Sequence, residues 1–333
     1  MAYNGKLSPV QSVKYGVPQG SVLGPLVFVL YTTELHQIVA DHGLKLHQYA
    51  DDCQVYVASL ADDAVSAAEA VAGCIDDINT WLSVNRLRLN PTKTQIIWLG
   101  SKQQLLKIPV NGLVMGSTTI KAVDTVRDLG VIVDSQLTMS AHVKKLCQTC
   151  YYQLRQLRPI ARSLTGDTAK TLVHSFIACR LDYCNSLLYG MSDALFKRLQ
   201  SVQNAAARLV TGTRRRDHIT PVLRRLHWLP VRQRVDYKLA ILMHKAHNGR
   251  LPSYLGDDCC LVADTGRRRL RSSDAAVCVV PRSHTNMGDR GFSVAGPRIW
   301  NSLPTLLRSS DSSYDTFKKS LKTFLFAKAG AHS

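Results

Sequence analysis

No apolar run in these 333 residues is long enough to cross a membrane. The longest, residues 22–31, is interrupted by Gly24 and Pro25 and falls far short of the roughly 20 residues that a spanning helix needs. No internal repeat recurs, which excludes a repeat array. The nine cysteines are scattered, odd in number and preceded by no secretory leader. A reduced intracellular setting, nuclear or cytoplasmic, is therefore expected rather than a disulfide framework. Acids are absent from the start of the chain, where none precedes Glu34.

What is present is enough for a folded protein. Apolar residues make up 45% of the chain, so a core and two or three domains or subdomains are within reach. The net charge of +18 is unevenly placed. Residues 1–100 hold 6 Lys and Arg against 9 Asp and Glu, and residues 101–333 hold 36 against 15. A polyanionic partner suits such a basic stretch, because Lys and Arg that neutralise phosphates release counterions. A basic surface that only confers solubility is the plainer alternative.

Asn4-Gly5 suggests a first hairpin. A largely buried helix is expected over 26–38, with Pro25 in its first turn. Strands are expected over 44–49 and 53–58. Beyond them, Asp62 opens an amphipathic helix with Val65, Ala68, Val71, Ala72, Ile75, Ile78 and Leu82 on its apolar face. Asn90-Pro91 breaks the chain before a strand over 94–99 and shorter β-prone pieces up to residue 133. From residue 140 helices dominate, over 140–162, 167–183, 193–211, 219–227 and 231–247. In the first, Val143, Leu146, Cys150, Leu154 and Leu157 form an apolar stripe; Lys145, Gln148, Tyr152, Arg155, Arg158 and Arg162 follow a second. Residues 250–300 show no firm periodicity, and a last helix is expected over 313–328.

The chemistry-bearing stretch is Tyr49-Ala50-Asp51-Asp52, between two short β-patterned runs. Adjacent acids in a hairpin turn offer the oxygen donors that hard divalent cations take. Two such ions can stabilise the attacking and leaving oxygens of phosphoryl transfer. Acids in a solvated turn are the plainer alternative, and an unrelated metal-dependent phosphohydrolase is another. Upstream lies Gly16-Val17-Pro18-Gln19-Gly20-Ser21-Val22-Leu23-Gly24-Pro25, where Gly20 and Ser21 are expected to begin a helix.

This ordered pair of motifs resembles motifs B and C of a reverse transcriptase. Leu89-Asn90-Pro91-Thr92-Lys93-Thr94, Asp128-Leu129-Gly130-Val131 and the segment 292–304 resemble the non-LTR (LINE-type) retrotransposon branch. The resemblance implies an α+β fold. A partial palm, an antiparallel sheet with packed helices carrying motifs B to E, is expected over 1–135. A helical thumb-like region is expected over 136–250, and a basic loop-rich tail with a terminal helix over 251–333.

It also implies an RNA template, a DNA primer and dNTPs as partners, no membrane, and Mg²⁺ or Mn²⁺ held by Asp51 and Asp52. Pro18, Gln19, Gly20 and Ser21 would lie against nucleotide and template, and Tyr49 and Ala50 beside the nucleotide or primer end. Lys93 would lie near the leaving pyrophosphate, where a cation favours the developing charge. Gly130 belongs to a primer-gripping hairpin. Lys144, Lys145, Arg155, Arg158 and Arg162 would follow the duplex phosphates, although a solvated helix face is the usual reason for such charges.

Arg214, Arg215 and Arg216, and Arg267, Arg268 and Arg269, are further basic patches. No zinc is expected at His142, Cys147 and Cys150, since Cys150 belongs to an apolar stripe. The family's further catalytic aspartate, on a strand upstream of motif B, has no place in the first fifteen residues. The isolated polypeptide is therefore expected not to polymerise.

Overall fold

The computed structural model describes residues 2–3, 6–7, 20–115, 118–265, 276–308 and 313–330. Its contacts divide the chain into two compact units, 1–126 and 127–333.

In the first unit, β1 (Ala2–Tyr3) pairs antiparallel with β2 (Lys6–Leu7); Asn4 and Gly5 between them lie outside the described residues. The helix expected over 26–38 is two helices, α1 (Gly24–Tyr31) and α2 (Leu35–Asp41). The break falls at Thr32 and Thr33. Their hydroxyls donate back to the carbonyl oxygens of Phe28 (3.0 Å) and Val29 (3.0 Å) respectively, a competition that bends helices. β3 (Lys45–Tyr49) and β4 (Asp52–Tyr56) form an antiparallel hairpin with Tyr49 opposite Asp52. α3 (Ala64–Val84) lies against α2. Leu35, Val39, Leu44, Cys74 and Ile78 are buried there, with Leu46 and Val55 of the hairpin against them. The inward face of α3 includes Ala64, Ala67 and Cys74, while Val65 is exposed.

Two expectations fail here. No residue of α1 is buried, and Leu26 and Leu30 are 64% and 75% exposed. A helix apolar on every side needs neighbours on every side, and the small core of the described first unit lies around α2 and α3. The strand expected over 94–99 reduces to a single bridge, Ile96 to Ala122. Downstream come α4 (Lys102–Leu105), opened by a Ser101–Gln104 capping box, and the antiparallel pair β5 (Gly112–Met115) and β6 (Thr118–Lys121). β7 (Thr125–Asp128) and β8 (Val131–Asp134) pair with each other.

The second unit is helical. α5 (Ser140–Ile160) is followed by α6 (Gly166–Val173), which continues through a π turn (His174–Ala178) into α7 (Cys179–Asp182). α8 (Asp193–Thr211), α9 (Thr220–Arg225) and α10 (Val231–His247) fall close to the expected spans. α11 (Ser253–Gly256), α12 (Phe292–Asn301), α13 (Thr305–Arg308) and α14 (Tyr314–Gly330) complete it.

One core runs from Val131 through α5, α8 and α10 to Trp300, Phe317, Leu321 and Leu325, so residues beyond 251 contribute to it. On α5 the buried positions are His142, Val143, Cys147, Cys150, Leu154 and Leu157; Cys147 rather than Leu146 faces fully inward. The turn into α5 is fixed by Asp134, whose carboxylate accepts the N–H groups of Thr138 and Met139 at 2.8 Å each. Among the described residues no helix is long and apolar enough to cross a membrane.

Residues 292–301, irregular by sequence, are helical because of close packing. A Cβ on Gly296 of α12 would lie 2.7 Å from Met243 Sδ of α10 and 3.1 Å from Phe292; Met243 is fully buried. Gly296→Ala is thus expected to lower stability by about 1–3 kcal/mol through overpacking, read as a drop in the urea midpoint at unchanged slope.

His142 supplies a pH dependence. Burial pushes its pKa below the usual imidazole value, and its Nδ1 accepts the N–H of Ile132 at 3.3 Å, which only the unprotonated nitrogen does. Its contribution is present above the unfolded histidine value, about 6.5, and is lost as pH falls below it. Thermal melts between pH 8 and 5 are expected to fall less steeply for His142→Gln than for wild type; parallel curves would refute this role.

Candidate functional site

The acids occupy the tip of the β3–β4 hairpin. Tyr49 and Asp52 are the last paired residues, so Ala50 and Asp51 form a two-residue loop. Ala50 adopts φ +54°, a left-handed conformation that alanine takes at a cost and that such tight hairpin loops require at their first position. Asp51, Asp52 and Tyr49 are all exposed, Tyr49 by 68%. Neither carboxylate has an ion-pair partner among the described residues. Their charge is felt next door. The Cys53 thiol is pushed above its usual value, first by partial desolvation and then by Asp52 and Asp51.

Gln48 holds the tip in place. Its Nε2 donates to Thr32 Oγ1 (2.7 Å) and to the Ala50 carbonyl (3.0 Å), and Thr32 is buried. The loop is thereby tied to the C-terminal end of α1. That end is further anchored by Tyr31, which donates to the Asn85 carbonyl (2.9 Å), and by Trp81, whose Nε1 donates to Glu34 (2.8 Å). Apart from the Gln48–Ala50 bond, these anchors carry no sequence motif, since they join residues far apart in the chain.

Gly20 and Ser21 do not begin the helix. The N-cap is Leu23, and Gly20, at φ +92°, sits in the turn before it, a conformation no right-handed helix contains. No hydrogen bond among the described residues joins them to the acidic loop. Pro18 and Gln19 lie outside the described residues. Lys93 is exposed in a turn built by Asn90, whose carbonyl accepts the Lys93 and Thr94 N–H groups (3.1 Å each). It pairs with neither acid.

As a metal centre the loop is partial. Carboxylate oxygens suit a hard divalent cation in kind, but among the described residues no group of three or more His, Cys, Asp and Glu is placed to hold a metal. His142, Cys147 and Cys150 are buried on the inner face of α5, where desolvation raises the Cys150 thiol to about 12.

In the second unit, Gly130 (φ +86°) and Leu129 (φ +42°) make the tight loop of the β7–β8 hairpin. The Tyr183 hydroxyl donates to the Leu129 carbonyl at 2.6 Å. Lys144 and Arg155 of α5 meet Arg198 of α8 in one groove. Lys145, Arg158 and Arg162 are exposed but do not line it. Arg214, Arg215 and Arg216 are exposed in the α8–α9 loop. Arg208 shapes that loop by donating to the carbonyls of Arg214, Arg215 and Asp217 at 3.3–3.4 Å. Arg198 and Arg208 have no signal in the sequence, because their roles arise where α8 meets other segments. Arg267, Arg268 and Arg269 lie outside the described residues.

Residues 2–133, which include this acidic hairpin, match the reverse transcriptase (RNA-dependent DNA polymerase) family. The chain is 25% identical over 213 residues to the probable RNA-directed DNA polymerase from transposon BS of Drosophila melanogaster, covering 60% of this chain and 22% of that protein. It is 27% identical over 217 residues to the corresponding protein of the X-element from the same fly, covering 63% and 23%. It is 28% identical over 219 residues to the RNA-directed DNA polymerase from mobile element jockey of Drosophila funebris, again covering 63% and 23%. Over the matched residues the chain is similar to LINE-type reverse transcriptases. It spans less than a quarter of the length of these relatives, and no solved structure matches it.

The left-handed Ala50 is testable by itself. Ala50→Gly is expected to be neutral or stabilising by up to about 1 kcal/mol, and Ala50→Val destabilising by about 1–2 kcal/mol, because a β-branched side chain tolerates positive φ worst. Equal thermal midpoints for the two variants would contradict the loop geometry.

Proposed function

We propose that the chain supplies part of an intracellular RNA-directed DNA polymerase. In this reading a palm portion (1–135, motifs B to E) is followed by a thumb-like region (136–250) and a basic C-terminal region (251–333). Its partners are an RNA template, a DNA primer and dNTPs. The observation that carries the reading is the pair of exposed acids at the hairpin tip, Asp51 in the two-residue loop and Asp52 at the start of β4, without ion-pair partners among the described residues and inside the stretch that matches the family.

Asp51 and Asp52 would hold Mg²⁺ or Mn²⁺, which when bound supplies stabilisation to the attacking and leaving oxygens. Pro18, Gln19, Gly20 and Ser21 would approach nucleotide and template. Tyr49, with its ring exposed beside the acids, and Ala50 would support the primer end, and Lys93 would offer its charge to the departing pyrophosphate. Two carboxylates fix an ion poorly. These 333 residues by themselves therefore hold the metal weakly and do not polymerise until a further carboxylate is contributed. A second reading, a nucleic-acid-binding module without catalysis, is favoured by the 36 Lys and Arg against 15 Asp and Glu in residues 101–333.

Binding to an RNA–DNA primer–template is expected to weaken by about 10³-fold or more between 50 and 200 mM salt, as for six or more phosphate contacts. Primer extension with Mg²⁺ is expected to stay at background. Absence of binding at 50 mM salt would overturn both readings. Extension abolished by Asp51→Asn would establish the polymerase and refute the need for another acid.

A further inference from the structure

The groove between α5 and α8 was not evident from the sequence as a site. It has a volume of about 530 Å³ and is lined by Lys144, Gln148, Tyr151 and Arg155 of α5 and by Arg198 and Ser201 of α8, with Cys147 among the lining residues. The four α5 residues follow one another at steps of four, three and four, which places them on one face. Lys144 and Arg155 are about 16 Å apart along the helix axis at 1.5 Å per residue. No carboxylate lines the groove, and none of its three cations makes an ion pair among the described residues. Tyr151, 39% exposed, is the aromatic group among them.

We propose that this groove binds single-stranded nucleic acid, with phosphates on Lys144, Arg155 and Arg198 and an unpaired base against the Tyr151 ring. Unpaired cations along a channel, interrupted by an aromatic face, are the features that hold a single strand without reading its sequence. The exposed Tyr151 ring offers a face on which an unpaired base can stack. The hydroxyl of Ser201 and the amide of Gln148 add uncharged donors for phosphate or sugar oxygens.

The inference rests on the nucleic-acid-binding part of the proposed function, and the test separates the two. Fluorescence anisotropy of a 5′-labelled 12-mer of uridine and of a blunt 12-base-pair duplex would be measured with the full chain. Variants are Arg198→Ala, Tyr151→Ala and Tyr151→Phe, with Lys170→Ala, outside the groove, as the charge-matched control. The single strand is expected to bind more tightly than the duplex. Tyr151→Ala should weaken it roughly 5- to 150-fold, with Tyr151→Phe close to wild type. Arg198→Ala should lower the slope of log affinity against log salt by about 0.7, the value for one single-strand phosphate.

Three results overturn the proposal. If Arg198→Ala and Tyr151→Ala both behave like Lys170→Ala, the groove is refuted while the broader reading stands. Equal or tighter binding of the duplex refutes the single-strand assignment. If wild type binds neither probe, both readings fail.

Discussion

The inward stripe of α5 is the constraint on which the second unit depends. Val143, Cys147, Cys150, Leu154 and Leu157 are buried in a core shared with α8, α10, α12 and α14. Removing such side chains from water is the main favourable term in folding. Once those positions are turned inward, the 3.6-residue period gives the rest of the helix no freedom. Lys144, Gln148, Tyr151 and Arg155 must stand at the margin of the α8 contact, where Arg198 meets them. Burial of apolar surface therefore sets the placement of charge.

The acidic loop in the first unit follows a different logic. Among the described residues its core cluster is small, with five buried residues joined by partly buried ones, and an isolated two-stranded hairpin is marginal in water. Order at the tip comes from specific polar links. Gln48 ties the loop to the buried Thr32, and the ends of α1 and α2 are tied to α3 by Tyr31 and Glu34. Ala50 in a left-handed conformation is the local cost of a loop only two residues long. The same small core explains the bare surface of α1, whose apolar side chains outnumber the positions available to cover them.

Much of the second unit was legible in the sequence, because helical periodicity is a local property. The spans of α8 and α10 agree with the expected 193–211 and 231–247. Departures arose where a distant residue overrode local preference. α12 contains Gly296 and Pro297, both poor helix formers, yet Gly296 is what lets α12 approach Met243. The strand expected over 94–99 had the right composition but found a single bridging partner at Ala122. The helix start expected at Gly20 and Ser21 moved to Leu23, because a residue at φ +92° cannot be helical.

The candidate site divides along the same line. Adjacent acids in a tight turn between strand-forming runs are decided by neighbours in sequence, so the Asp51–Asp52 hairpin and its likeness to a LINE-type reverse transcriptase were readable from residue order. The anchoring of that loop by Gln48 and Thr32 depended on the folded arrangement of the first unit. The joining of Lys144, Tyr151 and Arg155 to Arg198 likewise depended on the packing of α5 against α8. A one-dimensional pattern fixes which face of a helix is apolar, but only three-dimensional packing decides which other helix that face meets and which charges are carried along with it.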